Sequence, residues 1–294
     1  MAERPGLPTR SDQHLSQKSI RPVGLPSRRA CPSSVQPHRP RWLSAPAKVV
    51  VAHHGYRHID TAQAYGNEAE VGRAIADSGV ARDDIFLTTK VWIERFAAGD
   101  LEASVKESLS RLKVDNVDLL LLHWPKDDVP LSETLGALNA CRDGGMTSHI
   151  GVSNFTTTWL GEAVATSKAP LVCNQVECHP FLDQTPVLDA VAKYDMALTA
   201  YSPLAQGEVF DNPVMKDIAG AHDKSPAQVS LRWLIQQERV SAIPRSSSAD
   251  HLASNFEVFD FELSAEEMGR ISGLRSENHR IVDPDWAPDW DVAA

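Results

Sequence analysis

Val117-Asp-Leu-Leu-Leu-Leu122, with His123 directly after it, is the stretch that decides the fold. A nearly all-apolar run of this length reads as a parallel strand covered on both faces. Upstream, Leu101, Val105, Leu109 and Leu112 mark one face of a helix. Downstream, Leu131, Leu135 and Leu138 mark another, which stops near Gly144–Gly145. The strand therefore sits between two helices.

The same alternation continues in both directions. Toward the N-terminus, Ile85–Lys90 reads as a strand, Glu68–Ser78 as a helix and Arg57–Ala62 as a strand running into a loop. Toward the C-terminus, strands are expected at His149–Ser153, Leu171–Val176, Met196–Tyr201 and Val240–Pro244. Helices are expected at Trp159–Thr166, Val187–Tyr194, Pro226–Gln237 and Asp250–Phe256, with an extra terminal helix at Glu262–Leu274. Alternating units imply an α/β protein with a parallel sheet. Seven or eight units in residues 49–294 fit a closed (β/α)8 TIM-type barrel better than an open sheet. An open doubly wound sheet would usually carry G-x-G-x-x-G after its first strand, and no such motif is present.

Residues 1–48 are a different kind of sequence. They hold eight of the 19 prolines and nine Lys/Arg against two acids, so they carry +7 while the remainder carries −17 of the overall −10. No helical or strand period runs through them. They are read as a Pro/Arg-rich, disordered or non-native segment, with an organelle transit peptide or a basic interaction tail as alternatives. The barrel domain is placed at 49–294, with an aberrant or missing first strand.

Bulk properties exclude several classes. The net charge of −10 argues against a nucleic-acid binder. There is no stretch of about 18 apolar residues, so no membrane span is expected. Cys31, Cys141, Cys173 and Cys178 form no C-x-x-C pair, as expected for buried thiols in a reducing compartment. The expectation is a cytoplasmic monomer.

Polar residues gather where the strands end: Asp60, Lys90, His123, Ser153 with Asn154, Gln175, and Tyr201 with Ser202, while Tyr65 follows Asp60 in a short loop. In a barrel these ends converge on one rim, where chemistry is done. A phenol is a poor acid at neutral pH. A nearby ammonium eases its ionisation, a carboxylate holds the ammonium, and a histidine orients a substrate oxygen. Such a group protonates a carbonyl oxygen as hydride arrives at carbon. A metal site would need two or three suitable ligands together. His53–His54 and the isolated His179 do not supply them, so none is expected.

Gly55-Tyr-Arg-His-Ile-Asp-Thr-Ala62 with Tyr65-Gly-Asn-Glu68 resembles the aldo-keto reductases. So do Thr88-Thr-Lys-Val-Trp92, Leu122-His-Trp-Pro125, Gly151-Val-Ser-Asn-Phe155, Asn174-Gln-Val-Glu177 with His179-Pro180, Ala200-Tyr-Ser-Pro-Leu204 and Ile243-Pro-Arg-Ser246. The ending Arg280-Ile-Val-Asp-Pro284 with Ala287-Pro-Asp-Trp290 is similar to the bacterial 2,5-diketo-D-gluconate reductase B group. The match is collinear from about Val49 onward.

The resemblance implies reduction of small aldehydes, α-dicarbonyls or keto-sugar acids, with Tyr65 as general acid, Lys90 and Asp60 as its tuning pair and His123 orienting the substrate. Ser153, Asn154 and Gln175 would hold the nicotinamide amide, with Tyr201 stacked on the ring. Ser202 and Leu204 would meet the pyrophosphate, and Arg245, Ser246, His251 and Asn255 the adenosine phosphate end. Trp92 and Trp124 are expected to line the substrate pocket. NADPH is the expected cofactor, but many family members have Arg where this chain has His251, which weakens that preference and keeps NADH as the alternative. The family's Gly-x-Gly-Thr first strand has only a faint echo in Val23-Gly-Leu-Pro26. This motivates the alternative of a non-catalytic nicotinamide-binding protein or a defective gene product lacking that strand.

Overall fold

The computed structural model describes residues 34–35, 55–246 and 248–291. Eight parallel strands pair in sequence order. They are β1 (Ser34–Val35), β2 (His58–Asp60), β3 (Phe86–Val91), β4 (Val117–Leu122), β5 (Thr147–Ser153), β6 (Leu171–Glu177), β7 (Ala197–Tyr201) and β8 (Val240–Ala242). Parallel neighbours need a crossover, and helices supply it from β2 onward. These are α1 (Glu68–Ser78), α2 (Asp100–Leu112), α3 (Leu131–Asp143), α4 (Thr157–Thr166), α5 (Thr185–Lys193), α6 (Pro213–Ala221) with α7 (Pro226–Gln236), and α8 (Ala249–Phe256). Helix α9 (Ala265–Ser272) follows. This is the (β/α)8 barrel expected from the sequence, with a first strand only two residues long.

Strand β1 pairs through Ser34 with His58 and through Val35 with Ile59. It lies inside the segment read as outside the barrel. The Val23-Gly-Leu-Pro26 echo, His53–His54, Cys31 and the rest of 1–48 lie outside the described residues. No ladder joins β8 to β1 among the described residues.

The nearly all-apolar character of β4 has a direct cause. Leu120 and Leu122 pack in the large cluster that also contains Val105, Leu109, Leu135 and Leu138 of the flanking helices. Leu119 and Leu121 turn the other way and meet Phe86 and Cys173 inside the barrel. Alternation of period two thus places apolar groups on both faces. Burying a leucine side chain contributes roughly 1.5–3 kcal/mol, so the four leucines anchor both layers.

Strand β5 is irregular between Ile150 and Val152. A β-carbon at Gly151 would lie 2.6 Å from the Cys173 carbonyl oxygen and 2.8 Å from Leu121 Cδ2. Only glycine lets the strands approach this closely.

Observed bounds depart from expectation by a residue or two, and more at β2 and β8. Strand β2 covers three residues where Arg57–Ala62 was expected. Strand β8 ends at Ala242, not Pro244. Helix α6 was missed. It begins with Asn212, whose side chain accepts from the Val214 and Met215 amides, and with Pro213 in the first turn. Cys141, Cys173 and Cys178 are buried free thiols.

Candidate active site

Because all strands run parallel, Asp60, Val91, Leu122, Ser153, Glu177 and Tyr201 close their strands at one rim. Asp60 and Lys90 are both fully buried and form an ion pair through Asp60 Oδ1 and Lys90 Nζ. Lys90 also donates to the Thr61 carbonyl at 3.0 Å. The second oxygen of Asp60 accepts from Gln175 Nε2 at 2.7 Å. Two buried charges cost several kcal/mol each to desolvate, so they persist only with partners like these.

Tyr65 ends a short 3-10 turn, Gln63–Tyr65, closed by Gly66 at φ 64°. That left-handed conformation suits glycine and turns the chain toward α1. Gln63 fixes the turn from beneath. It donates to Ser104 at 3.0 Å and Ser108 at 3.1 Å on α2, and accepts from the Trp92 amide at 2.9 Å. Lys90 Nζ lies 5.1 Å from the Tyr65 ring centre. The His123 ring stands edge-on to Tyr65 at 5.5 Å and to Trp92 at 5.2 Å. The four residues singled out in the sequence are therefore neighbours.

Burial raises the Tyr65 phenol well above its ordinary pKa; Asp60 adds to this and Arg245 opposes it. The net direction is opposite to the easing expected from Lys90. At neutral pH the group holds its proton. Burial lowers the Lys90 pKa while Asp60 opposes that effect. His58, one strand position from Ile59 and bonded to Thr88 Oγ1 at 2.9 Å, is pushed down to about 4, chiefly by burial.

A second set of groups shares the rim. Ser153 Oγ donates to the Gln175 carbonyl at 2.7 Å. Asn154 donates to the His123 carbonyl at 3.0 Å and accepts from the Tyr201 hydroxyl at 2.8 Å. Asn154 and Ser202 both adopt positive φ, 61° and 49°. Leu204 is half-buried against the core. Arg245 and Ser246 lie on the turn from β8 into α8, and His251 and Asn255 lie on α8 itself. There Ser248 caps the helix, Arg245 and His251 are exposed, and Asn255 is buried.

A pocket of about 670 Å³ opens beside Trp92. Trp286, Ala287, Pro288 and Asp289 form its other wall. Trp124 packs against Trp286 at 5.0 Å and Trp290 at 5.9 Å, behind this wall. Gln63, Glu177 and the tail tryptophans carry no role in the sequence reading. No cluster of three or more metal-binding side chains occurs among the described residues. No described helix is long and apolar enough to cross a membrane.

Barrel and rim together define an enzyme site in which an acid, an ion pair and a histidine meet at the strand ends, with Trp92 standing between His123 and the neighbouring pocket. A profile of the Aldo/keto reductase family matches residues 45–276, and the chain belongs to that family of oxidoreductases. It is 44% identical over 231 residues to an aldo-keto reductase of Mycolicibacterium smegmatis, covering 78% of this chain and 84% of the relative. It is 43% identical over 241 residues to the methylglyoxal reductase DkgB of Yersinia pestis, covering 81% and 90%. A crystal structure provisionally designated a 2,5-diketo-D-gluconic acid reductase B superposes with a TM-score of 0.84 at 47% identity, covering 88% of this chain and 93% of that one.

Members of the family use nicotinamide cofactors, and the residues present fit one. Side-chain amides at Asn154 and Gln175 suit a carboxamide, and the Tyr201 ring offers a flat face. Arg245 stands just before the capped N-terminus of α8, a place that favours phosphate.

Proposed function

We propose that this protein reduces small aldehydes, α-dicarbonyls or keto-sugar acids to alcohols with NADPH, and that Tyr65 donates the proton. The reading rests on one observation: Tyr65 lies beside both the His123 ring and the buried Lys90–Asp60 pair. Bound nicotinamide would supply hydride to the carbonyl carbon. Tyr65 keeps its proton until the carbonyl oxygen gains electron density, then passes it on. The Lys90 ammonium offsets the negative charge left on the phenol. Asp60 holds Lys90 in place, and Gln175 ties that pair to the floor of the rim. His123 orients the substrate oxygen.

Ser153, Asn154 and Gln175 would hold the carboxamide, with Tyr201 under the ring. Ser202 and Leu204 would border the pyrophosphate. Arg245, Ser246, His251 and Asn255 would hold the adenosine phosphate. Methylglyoxal and 2,5-diketo-D-gluconate are the substrate types suggested by the DkgB relative and the superposed structure. We further propose a cytoplasmic monomer acting on a small-molecule partner.

Loss of nicotinamide absorbance with either carbonyl tests the activity. Tyr65→Phe should lower kcat at least 100-fold, the low end of general-acid contributions, while NADPH still quenches protein fluorescence. Near-normal kcat in this variant would remove Tyr65 as donor. Quenching without turnover in the unaltered chain would favour a non-catalytic binder.

A further inference from the structure

Glu177 is the last residue of β6, two positions beyond Gln175, and is fully buried. Its Oε1 contacts His179 Nε2 at 2.9 Å and accepts from the Ile281 amide at 2.7 Å. Its Oε2 accepts from the Val282 amide at 2.8 Å. Burial pushes this carboxyl up, but the His179 contact and the two amides outweigh it and leave the pKa lowered. A buried carboxylate is stable only with such donors. Two of them come from a part of the chain more than a hundred residues away.

The held segment is an irregular tail. Beyond Asn278 it forms neither helix nor strand among the described residues. Its far end is tied at Asp291, which accepts from the Thr157 amide at 2.9 Å and hydroxyl at 2.5 Å at the start of α4. Between these anchors, Trp290 Nε1 donates to Asp283 at 2.8 Å and the Arg280 guanidinium stacks 3.7 Å from the Trp290 ring. The same stretch carries Trp286, which meets Trp92 at 6.0 Å across the pocket. Glu177 also pairs in register with Tyr201. One buried carboxylate thus joins the floor of the rim to the tail that walls the pocket.

We propose that Glu177 is a positioning residue that, by gripping the Ile281 and Val282 amides, sets the tail as the substrate-facing wall and so governs substrate KM. The proposal rests on the carbonyl-reductase reading given above. Hydride and proton transfer involve other groups, so kcat should respond little.

The test compares the unaltered chain with Glu177→Gln and Val282→Pro. The first presents an amide N–H to a tail donor. The second removes one tail donor and leaves β6 intact, so it still reports if the buried substitution fails to fold. Steady-state kinetics with methylglyoxal, NADPH quenching, Tm and trypsin cleavage after Arg280 are measured. The expected result is a KM raised at least tenfold, kcat within about threefold, unchanged NADPH affinity and faster release of residues 281–294. That KM change matches loss of one charge-assisted hydrogen bond. A lowered Tm with unchanged KM would reduce Glu177 to a structural role and overturn the proposal. So would a fall in kcat at constant KM. If the unaltered chain reduces neither methylglyoxal nor 2,5-diketo-D-gluconate, the activity reading fails instead. The clamp is then judged by trypsin alone: faster cleavage in both variants supports it, and unchanged cleavage overturns it.

Discussion

Removing the Lys90 ammonium should cost more stability than removing it together with its partner carboxylate. In the native chain both side chains have zero exposure. Lys90→Met leaves Asp60 buried without its counter-ion, still accepting from Gln175. Breaking a buried pair from one side typically costs about 3–5 kcal/mol. Asp60→Asn leaves a buried ammonium with the Thr61 carbonyl. Burial already lowers the Lys90 pKa and Asp60 opposes this, so losing Asp60 lets the amine shed its proton. That single change should cost less, roughly 2–3 kcal/mol. The double variant replaces the pair with neutral groups of similar volume and should cost only about 1 kcal/mol. The coupling is therefore at least about 4 kcal/mol, well above the roughly 0.5 kcal/mol that separates independent from interacting sites. Urea unfolding reads it directly. With a slope of about 3 kcal/mol/M, Lys90→Met should lower the midpoint by about 1 M or more. Single-variant costs that add to the double-variant cost within about 0.5 kcal/mol would refute the claim that burial makes these charges mutually dependent.

Acid should weaken the fold through His58. Its pKa falls from 6.5 to about 4 on folding, mainly by burial, with Asp60 opposing. The unfolded chain therefore takes up a proton that the native chain refuses. The stabilisation is complete above pH 6.5 and is lost as pH falls toward 4, by about 3 kcal/mol. Urea midpoints at pH 7 and pH 4.5 should diverge between the native chain and His58→Gln; parallel profiles would remove His58 as the cause. Gly72→Ala should destabilise despite its gain in helix propensity. The new β-carbon would sit 2.3 Å from the Leu112 carbonyl oxygen and 2.6 Å from its carbon, both backbone atoms of the neighbouring helix. Propensity returns about 1 kcal/mol, overpacking costs up to about 3, and the backbone has little room to yield. A Tm drop of about 4–8 °C is expected from calorimetry, and an unchanged or higher Tm would contradict the close helix contact.

Sequence alone determined the alternation of strands and helices, because apolar periodicity is local and survives without knowledge of the fold. It also placed Asp60, Lys90, His123, Ser153, Asn154, Gln175 and Tyr201 at strand ends, since a parallel barrel sends every such end to one rim. Helix α6 also has a local signal, Asn212 and Pro213 ahead of Met215, Ile218 and Ala219, which the structure buries. The tertiary structure decided the rest. Strand β1 forms at Ser34–Val35, where no periodic pattern announces it, because the free hydrogen-bonding edge of β2 supplies the pairing. Gln63 shows its role only when Ser104, Ser108 and the Trp92 amide surround it. Glu177 is the clearest case. Its tail partners are backbone amides, which every residue but proline carries, so no residue type encodes them. Side-chain pattern is written along the chain, but a hydrogen bond between distant backbone and a buried carboxylate exists only once the chain has closed around it.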